Sequence, residues 1–82
     1  MDYRVIIEKP AMKFIRRQPK EQQARLLRAI QGLPESGDIK PMSGMNGLFR
    51  LRVGTYRVIY TIENDVLIVR VLNAGNRGDV YK

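Results

Sequence analysis

Two short apolar segments, Leu48–Val53 and Tyr56–Ile62, are joined by only two residues, Gly54 and Thr55. Segments separated by two residues that include a glycine are typical of a β-hairpin. A two-residue loop pairs the residues that flank it, so the loop length sets the register of the whole hairpin. The hairpin restricts the fold more than any other feature, because it assigns each residue to one face of an antiparallel sheet.

This register places three arginines on one face. Arg52 pairs with Arg57, and Arg50 pairs with Ile59. Side chains alternate between the faces of a strand, so Arg50, Arg52 and Arg57 share a face. Like charges directly opposite each other destabilise a sheet, which indicates that an anion binds between Arg52 and Arg57. The opposite face carries only apolar and aromatic side chains, namely Phe49, Leu51, Val53, Tyr56, Val58 and Tyr60.

The segment before the hairpin predicts one strand and two helices. Asp2–Glu8 alternates in polarity, which is typical of a strand. Pro10 opens the first helical stretch and Pro19 starts the second, because proline is favoured in a first helical turn. The second helix has apolar residues at helical spacing, which predicts a buried face made of Leu26, Leu27, Ile30 and Leu33.

The remaining segments complete the order β-α-α-β-β-β in a single domain, residues 1–82. Pro34–Gly47 is rich in proline and glycine and is predicted to be a loop. Asn64–Asp65 is a turn signal before a last strand, Val66–Leu72, and Asn73–Lys82 forms a tail. We expect an α+β fold in which two N-terminal helices pack on one face of a mostly antiparallel four-stranded sheet.

The net charge and the missing residue types limit which binding partners and sites the protein can have. A net charge of +7 and a pI near 10.3 favour a polyanion, most often nucleic acid. The alternatives are a charge that only keeps the protein soluble, or an acidic protein partner. The chain has no cysteine and no histidine, which excludes zinc sites built from these residues and favours the reducing cytoplasm. No apolar run approaches the roughly 20 residues of a membrane span, and no signal peptide is recognised.

A second group of cations lies on the predicted helices. These candidate RNA-binding residues are Arg16, Arg17, Lys20, Arg25 and Arg28. A run of this kind is usually a solvated helix face. In a protein that acts on RNA it binds phosphates in a salt-dependent way.

Two sequence segments resemble one family when taken with the element order. They are Leu48–Tyr60, which contains Tyr-Arg-Val-Ile-Tyr, and Gly75–Tyr81, which reads Gly-Asn-Arg-Gly-Asp-Val-Tyr. Together they resemble the RelE branch of the RelE/ParE toxin superfamily. The resemblance implies an endoribonuclease that enters the ribosomal A site, contacts rRNA and cuts mRNA. It also implies a cognate antitoxin that blocks the toxin.

The resemblance implies roles for five residues. Arg57 resembles the family's phosphate-binding arginine on the central strand. Arg77 resembles a second arginine, assigned to transition-state charge or to protonation of the leaving oxygen. Tyr81 resembles a late tyrosine that orients the substrate or stacks on it. Arg50 and Arg52 occupy positions where relatives carry lysines, one of which is a proposed general base.

The residues support cleavage in which the RNA 2′-hydroxyl attacks the adjacent phosphorus, which requires no metal and no cofactor. Arginine matches two phosphate oxygens, so Arg57 and Arg77 suit stabilisation of the extra negative charge. Arg50 and Arg52 are expected to act electrostatically, because a guanidinium group keeps its proton and cannot readily serve as a base. Tyr81 is one candidate base, and water or an rRNA group is the alternative.

Other interpretations remain at this stage. Arg50 and Arg52 also fit a solvated strand face, Arg77 an ion pair with Asp79, and Tyr81 simple packing. At the level of function, the alternatives are a non-enzymatic inhibitor of DNA gyrase of the ParE type and an RNA-binding domain without catalysis. Relatives of the ParE type lack the combination of Arg57, Arg77 and Tyr81.

Overall fold

A computed structural model of the protein describes residues 3–44 and 47–76, and within these ranges the chain forms two helices and five strands. In chain order these are β1 (Arg4–Ile7), α1 (Lys9–Arg16), α2 (Lys20–Gln31), β2 (Asp38–Pro41), β3 (Phe49–Val53), β4 (Tyr56–Glu63) and β5 (Ile68–Asn76). The strands form one sheet in the order β1-β5-β4-β3-β2. Strand β1 runs parallel to β5, and the other neighbours are antiparallel. The α+β class, the two helices before the hairpin and the mostly antiparallel sheet are confirmed.

The prediction of four strands was wrong, because β2 forms a fifth strand within the segment Pro34–Gly47 that was predicted to be a loop. This strand has four residues and only Ile39 is an apolar residue with strand preference, so it carries almost no signal of its own. It lies at the edge of the sheet, where Pro41 is tolerated. Strand β2 forms because β3 offers an open edge, with Asp38 paired to Arg52 and Lys40 to Arg50.

The register predicted for the hairpin is confirmed. Val53 pairs with Tyr56, Arg52 with Arg57, and Arg50 with Ile59. Gly54 has φ +60°, a backbone conformation that a two-residue hairpin loop requires and that glycine adopts without strain. The loop Gly54–Thr55 therefore sets both the register and the face on which each arginine lies.

Strand β5 continues beyond its predicted end, so that Asn73–Asn76, predicted to belong to the tail, pairs with β4. A bulge falls within this pairing, because Ile59 pairs with Asn73 whereas the next residue, Tyr60, pairs with Val71. The bulge changes the phase of β5, which keeps both Val71 and Ala74 in the core. It also places Gly75 directly beside Arg57.

The helices cover one face of the sheet, with α1 against β5 and α2 against β3. Leu26, Ile30 and Leu33 are buried as predicted, whereas Leu27 is half-buried. The buried hydrophobic core comprises Ala11, Ile15, Leu26, Ile30, Leu33, Leu51, Val53, Tyr56, Val58, Tyr60, Val69, Val71 and Ala74. Neither helix in the described part of the chain has the length and apolar character needed to cross a membrane.

Candidate nucleic-acid interface

A cavity of about 210 Å³ lies at the turn end of the β3–β4 hairpin, lined by Arg52, Gly54, Thr55 and Arg57. The two arginines are directly opposite each other across the ladder. Arg57 is half-buried, and the side chain of Arg52 is 47% exposed. A guanidinium group offers a planar set of N–H donors that matches phosphate oxygens. Two guanidinium groups around one small cavity therefore suit a phosphate group.

The neighbouring strand β5 places a glycine beside Arg57. Its residue opposite Arg57 is Gly75, which has no side chain to cover the arginine. This contribution was missed in the sequence, because Gly75 was predicted to lie in a tail. It depends on the bulge in β5, which no local pattern indicated.

Asp38 is a second residue that the sequence analysis missed. Its Oδ1 atom lies 3.4 Å from Nη2 of Arg50, and its Oδ2 atom lies 3.9 Å from Nε of Arg52. One carboxylate thus offsets part of the positive charge on this face and engages the Nε side of Arg52. The alternation of Asp38, Ile39 and Lys40 was the only signal available, and it is too short to predict a strand.

Arg50 differs from the other two hairpin arginines. It is only 7% exposed, and in the described part of the chain it is not among the residues that line the cavity. A buried cation needs a counter-charge, and the carboxylate of Asp38 supplies it. The Nε atom of Arg50 is buried without a hydrogen-bond partner in the described structure. Arg50 therefore joins β2 to β3, so the alternative of a solvated strand face does not hold for it, and its predicted electrostatic role in catalysis stays a prediction.

Asp38→Asn is expected to lower the free energy of unfolding by about 1–2 kcal/mol, because the buried Arg50 loses its counter-charge. Urea unfolding measures this change. Asp65→Asn is the matched control, since Asp65 is exposed in the turn after β4 and should change stability by less than about 0.5 kcal/mol. Equal effects of the two substitutions would contradict a stabilising role for Asp38.

At the other end of the sheet, Arg70 of β5 is held by two carboxylates. Its Nε atom donates to Oε2 of Glu63 at 2.8 Å, and its Nη1 atom donates to Oε2 of Glu8 at 3.3 Å. The hydrogen bond and charge of Glu63, followed by those of Glu8, raise the pKa of Arg70 above its ordinary value. Two carboxylates of the protein therefore hold Arg70 in place.

Contacts from the helices hold the turn end of the hairpin. The hydroxyl of Tyr56 donates to Oε1 of Gln18 at 3.2 Å, and the ring of Phe14 meets the ring of Tyr56 edge to face at 5.8 Å. Gln18 is itself fixed, because Nε2 of Gln23 donates to its backbone oxygen at 2.8 Å. The residue that precedes Arg57 is thereby tied to the junction between α1 and α2.

All of the predicted helical cations are exposed, namely Arg16, Arg17, Lys20, Arg25 and Arg28. Arg16 and Arg17 line a shallow groove on α1 together with Lys9, Met12 and Lys13. Arg25 instead lies beside the hairpin turn. A Cβ atom built on Gly54 would lie 2.9 Å from Nη1, 3.1 Å from Nη2 and 3.2 Å from Cζ of Arg25. These nearly equal distances mean that the guanidinium group lies across Gly54.

Gly54→Ala is expected to lower the free energy of unfolding by about 2 kcal/mol, because φ is positive and the new methyl group meets the guanidinium of Arg25. Urea unfolding of Gly54→Ala in the wild-type and Arg25→Ala backgrounds separates the two causes. The substitution should cost less in the Arg25→Ala background. An identical cost in both backgrounds would mean that the contact with Arg25 contributes nothing.

The predicted residues Arg77 and Tyr81 lie outside the described residues. Their roles therefore stay predictions. Among the sequence-predicted residues in the described part, the structure brings together Arg52, Arg57 and Arg25 around the hairpin turn.

Comparison with solved structures shows where this fold occurs. The chain resembles the archaeal RelE–RelB complex from Pyrococcus horikoshii, with 32% identity, coverage of 96% of this chain and 99% of that chain, and a TM-score of 0.76. It also resembles a chain of the toxin–antitoxin complex RelBE2 from Mycobacterium tuberculosis, with 24% identity, coverage of 96% of this chain and 95% of that chain, and a TM-score of 0.76. The E. coli RelBE complex is similar as well, with 23% identity, coverage of 90% of this chain and 95% of that chain, and a TM-score of 0.74. No curated protein matches the chain.

These similarities define the fold as that of the RelE toxins. The sequence profile of the ParE toxin of type II toxin–antitoxin systems, parDE, matches residues 2–78. The chain therefore belongs to the RelE/ParE superfamily and is a toxin of a toxin–antitoxin system. The resemblance predicted from the hairpin and the tail is confirmed.

Proposed function

We propose that this toxin is a ribosome-dependent endoribonuclease that acts in the cytoplasm and cleaves mRNA in the ribosomal A site. The observation that carries the proposal is the cavity between Arg52 and Arg57, in which two guanidinium groups face each other across a ladder. Each guanidinium group presents a planar set of N–H donors, so the pair suits the oxygens of a phosphate group. The 32% identity to the archaeal RelE, over nearly the full length of both chains, supports the same function.

In the proposed reaction the 2′-oxygen of the message attacks the adjacent phosphorus. A bond forms between phosphorus and the 2′-oxygen, and the bond between phosphorus and the 5′-oxygen breaks. The products are a 2′,3′-cyclic phosphate and a free 5′-hydroxyl. Arg57 and Arg52 hold the phosphate and stabilise the charge that develops on its oxygens, a contribution that is often the largest in such catalysis.

Two proton transfers complete this reaction. The 2′-hydroxyl loses its proton to Tyr81, to water or to an rRNA group, because an arginine is too weak a base for this step. Arg77 supports the leaving 5′-oxygen by charge or by supplying its proton. The reaction needs no metal, so the rate depends mainly on the position and charge of the arginines.

A cognate antitoxin is the proposed protein partner. The related RelE toxins from Pyrococcus horikoshii and E. coli were crystallised with RelB. An acidic or amphipathic antitoxin segment fits either the arginine face of the sheet or the helices, where Met12 and Phe14 are half-buried among basic residues. Capture of the product of the adjacent gene at low and at high salt would show how far the contact is electrostatic.

Sequencing of RNA ends in a translating extract tests the proposed function. We expect cuts within translated messages, upstream ends that carry a 2′,3′-cyclic phosphate, and downstream ends that carry a 5′-hydroxyl. The same RNA without ribosomes should stay intact. Binding to RNA with no new ends would instead identify a non-catalytic RNA-binding domain.

A toxin of the ParE type is the second candidate, and the match to the ParE toxin family favours it. Such a protein would inhibit DNA gyrase and would not cut messages. Induction in growing cells separates the two candidates. Arrested replication with intact mRNA would support inhibition of gyrase, and cleaved mRNA at an early time would support the endoribonuclease.

A further inference from the structure

The cavity between Arg52 and Arg57 has a third cation at its wall. Arg25 belongs to α2, on the helix side of the sheet, yet its guanidinium lies across Gly54, which lines the cavity. The two groups are close, because a Cβ atom at Gly54 would lie 2.9 Å from Nη1 of Arg25 and the guanidinium would have to shift. The arrangement therefore brings one of the helical cations, Arg25, next to the sheet arginines.

The positive charge of Arg25 is not paired with a carboxylate in the described part of the chain. The side chain of Arg25 is exposed, and it makes no ion pair or hydrogen bond with the described residues. Glu21 precedes it by one helical turn, a spacing that permits an ion pair, but no such pair forms in the described chain. By contrast, Asp38 engages Arg50 and Arg52. An exposed cation beside a cavity lined by two other arginines adds to the positive potential that attracts an anion.

The position of Arg25 distinguishes it from the arginines inside the cavity. It covers the turn that forms the cavity wall and does not line the cavity itself. A phosphate held between Arg52 and Arg57 therefore leaves Arg25 for a different anion immediately beyond the turn. In a single-stranded nucleic acid, that anion is the neighbouring phosphate of the same backbone.

We propose that Arg25 and the Gly54–Thr55 turn form a second phosphate subsite, which binds the phosphate next to the one held by Arg52 and Arg57. The inference rests on the proposed function, since it assumes that a single-stranded RNA occupies the cavity. It specifies the path of the message: the backbone leaves the sheet at the hairpin turn and continues toward α2.

The test measures binding of a short 2′-O-methylated RNA oligonucleotide, which cannot be cut by 2′-oxygen attack, to the full-length protein. Arg25→Gln should weaken binding about tenfold, because one charge-assisted phosphate contact is lost. It should also make the dependence of log K on log salt less steep by about 0.7, the contribution of one phosphate in a single strand. Arg25→Lys, which keeps the charge, should retain most of the slope.

Arg4→Gln is the matched control, because Arg4 is an exposed arginine on β1, at the outer edge of the sheet. It changes the net charge by the same amount and should leave the affinity within twofold of wild type. Thermal unfolding of each variant checks that the fold is intact. Equal loss of affinity in Arg25→Gln and Arg4→Gln, or no measurable binding by the wild-type protein, would overturn the second subsite.

The outcomes separate this inference from the proposed function. If the wild-type protein cuts messages in the translating extract while Arg25→Gln binds the oligonucleotide normally, the subsite is wrong and the endoribonuclease stands. If messages stay intact while binding depends on Arg25, the subsite stands without the nuclease. Weaker binding of Arg25→Gln to the cognate antitoxin, with unchanged affinity for RNA, would assign Arg25 to the antitoxin and overturn the inference.

Discussion

Arg57→Gln is expected to reduce the rate of message cleavage in a translating extract by about a hundredfold or more. The substitution removes one of the two guanidinium groups that line the cavity, and with it donors that the proposed function assigns to the reacting phosphate. A preorganised donor of this kind contributes roughly 3 kcal/mol to transition-state stabilisation. The initial rate at which cut RNA ends appear, with equal amounts of folded protein, measures the effect.

Two further variants make the result specific to Arg57. Arg4→Gln removes one positive charge at the far edge of the sheet and should leave the rate within twofold of wild type. Arg57→Lys keeps the charge but loses the planar set of donors, so it should recover only part of the rate. Cleavage at the wild-type rate by Arg57→Gln, with its fold intact, would show that Arg57 does not bind the reacting phosphate.

Tyr60→Ala is expected to lower the free energy of unfolding by about 3–5 kcal/mol. Tyr60 is fully buried at the centre of the sheet, and its ring stacks on that of Phe49 with 5.6 Å between centroids. A domain of 82 residues has a total stability on the order of 5 kcal/mol, so this variant should be largely unfolded at room temperature. Circular dichroism during urea unfolding measures the loss.

Tyr60→Phe is the matched control and should act in the opposite direction. The hydroxyl of Tyr60 is buried and has no hydrogen-bond partner in the described structure. Its removal should raise the free energy of unfolding by about 1 kcal/mol, because no desolvation penalty remains. A marked loss of stability in Tyr60→Phe would mean that the hydroxyl has a stabilising role, and that the effect of Tyr60→Ala is not due to the ring alone.

The stability of the wild-type protein and that of Tyr60→Phe should respond differently to alkaline pH. Burial raises the pKa of Tyr60 above its ordinary value of 10.0. Above that pH the unfolded state releases the proton first, so stability falls as pH rises toward the pKa of the folded state. Below pH 10.0 both states hold the proton and stability is unaffected. The advantage of Tyr60→Phe over wild type should therefore widen above pH 10, and a constant difference would contradict the raised pKa.

The hairpin shows how much of the candidate site can be predicted from sequence. Its loop has two residues and its strands alternate in polarity, so the pairing of Arg52 with Arg57 follows from local geometry alone. The helices could also be predicted from sequence, because prolines mark their starts and Leu26 and Ile30 repeat at helical spacing. In each case the signal lies within a few neighbouring residues.

The rest of the site depends on contacts between residues that are distant in sequence. Strand β2 has almost no signal of its own, so only the open edge of β3 explains why Asp38 lies beside Arg50 and Arg52. The same is true of Arg25, whose exposure was predicted but whose position across Gly54 was not.

The amino-acid sequence by itself determined the order of both helices and of four of the five strands, the register of the hairpin and the face that carries its arginines, because each follows from turn chemistry and side-chain periodicity. Tertiary structure alone decided that Arg50 is buried against Asp38, that Gly75 lies beside Arg57 and that Arg25 reaches the turn. Those features arise when edge pairing, a bulge and helix packing bring separate segments together, and no local pattern encodes them.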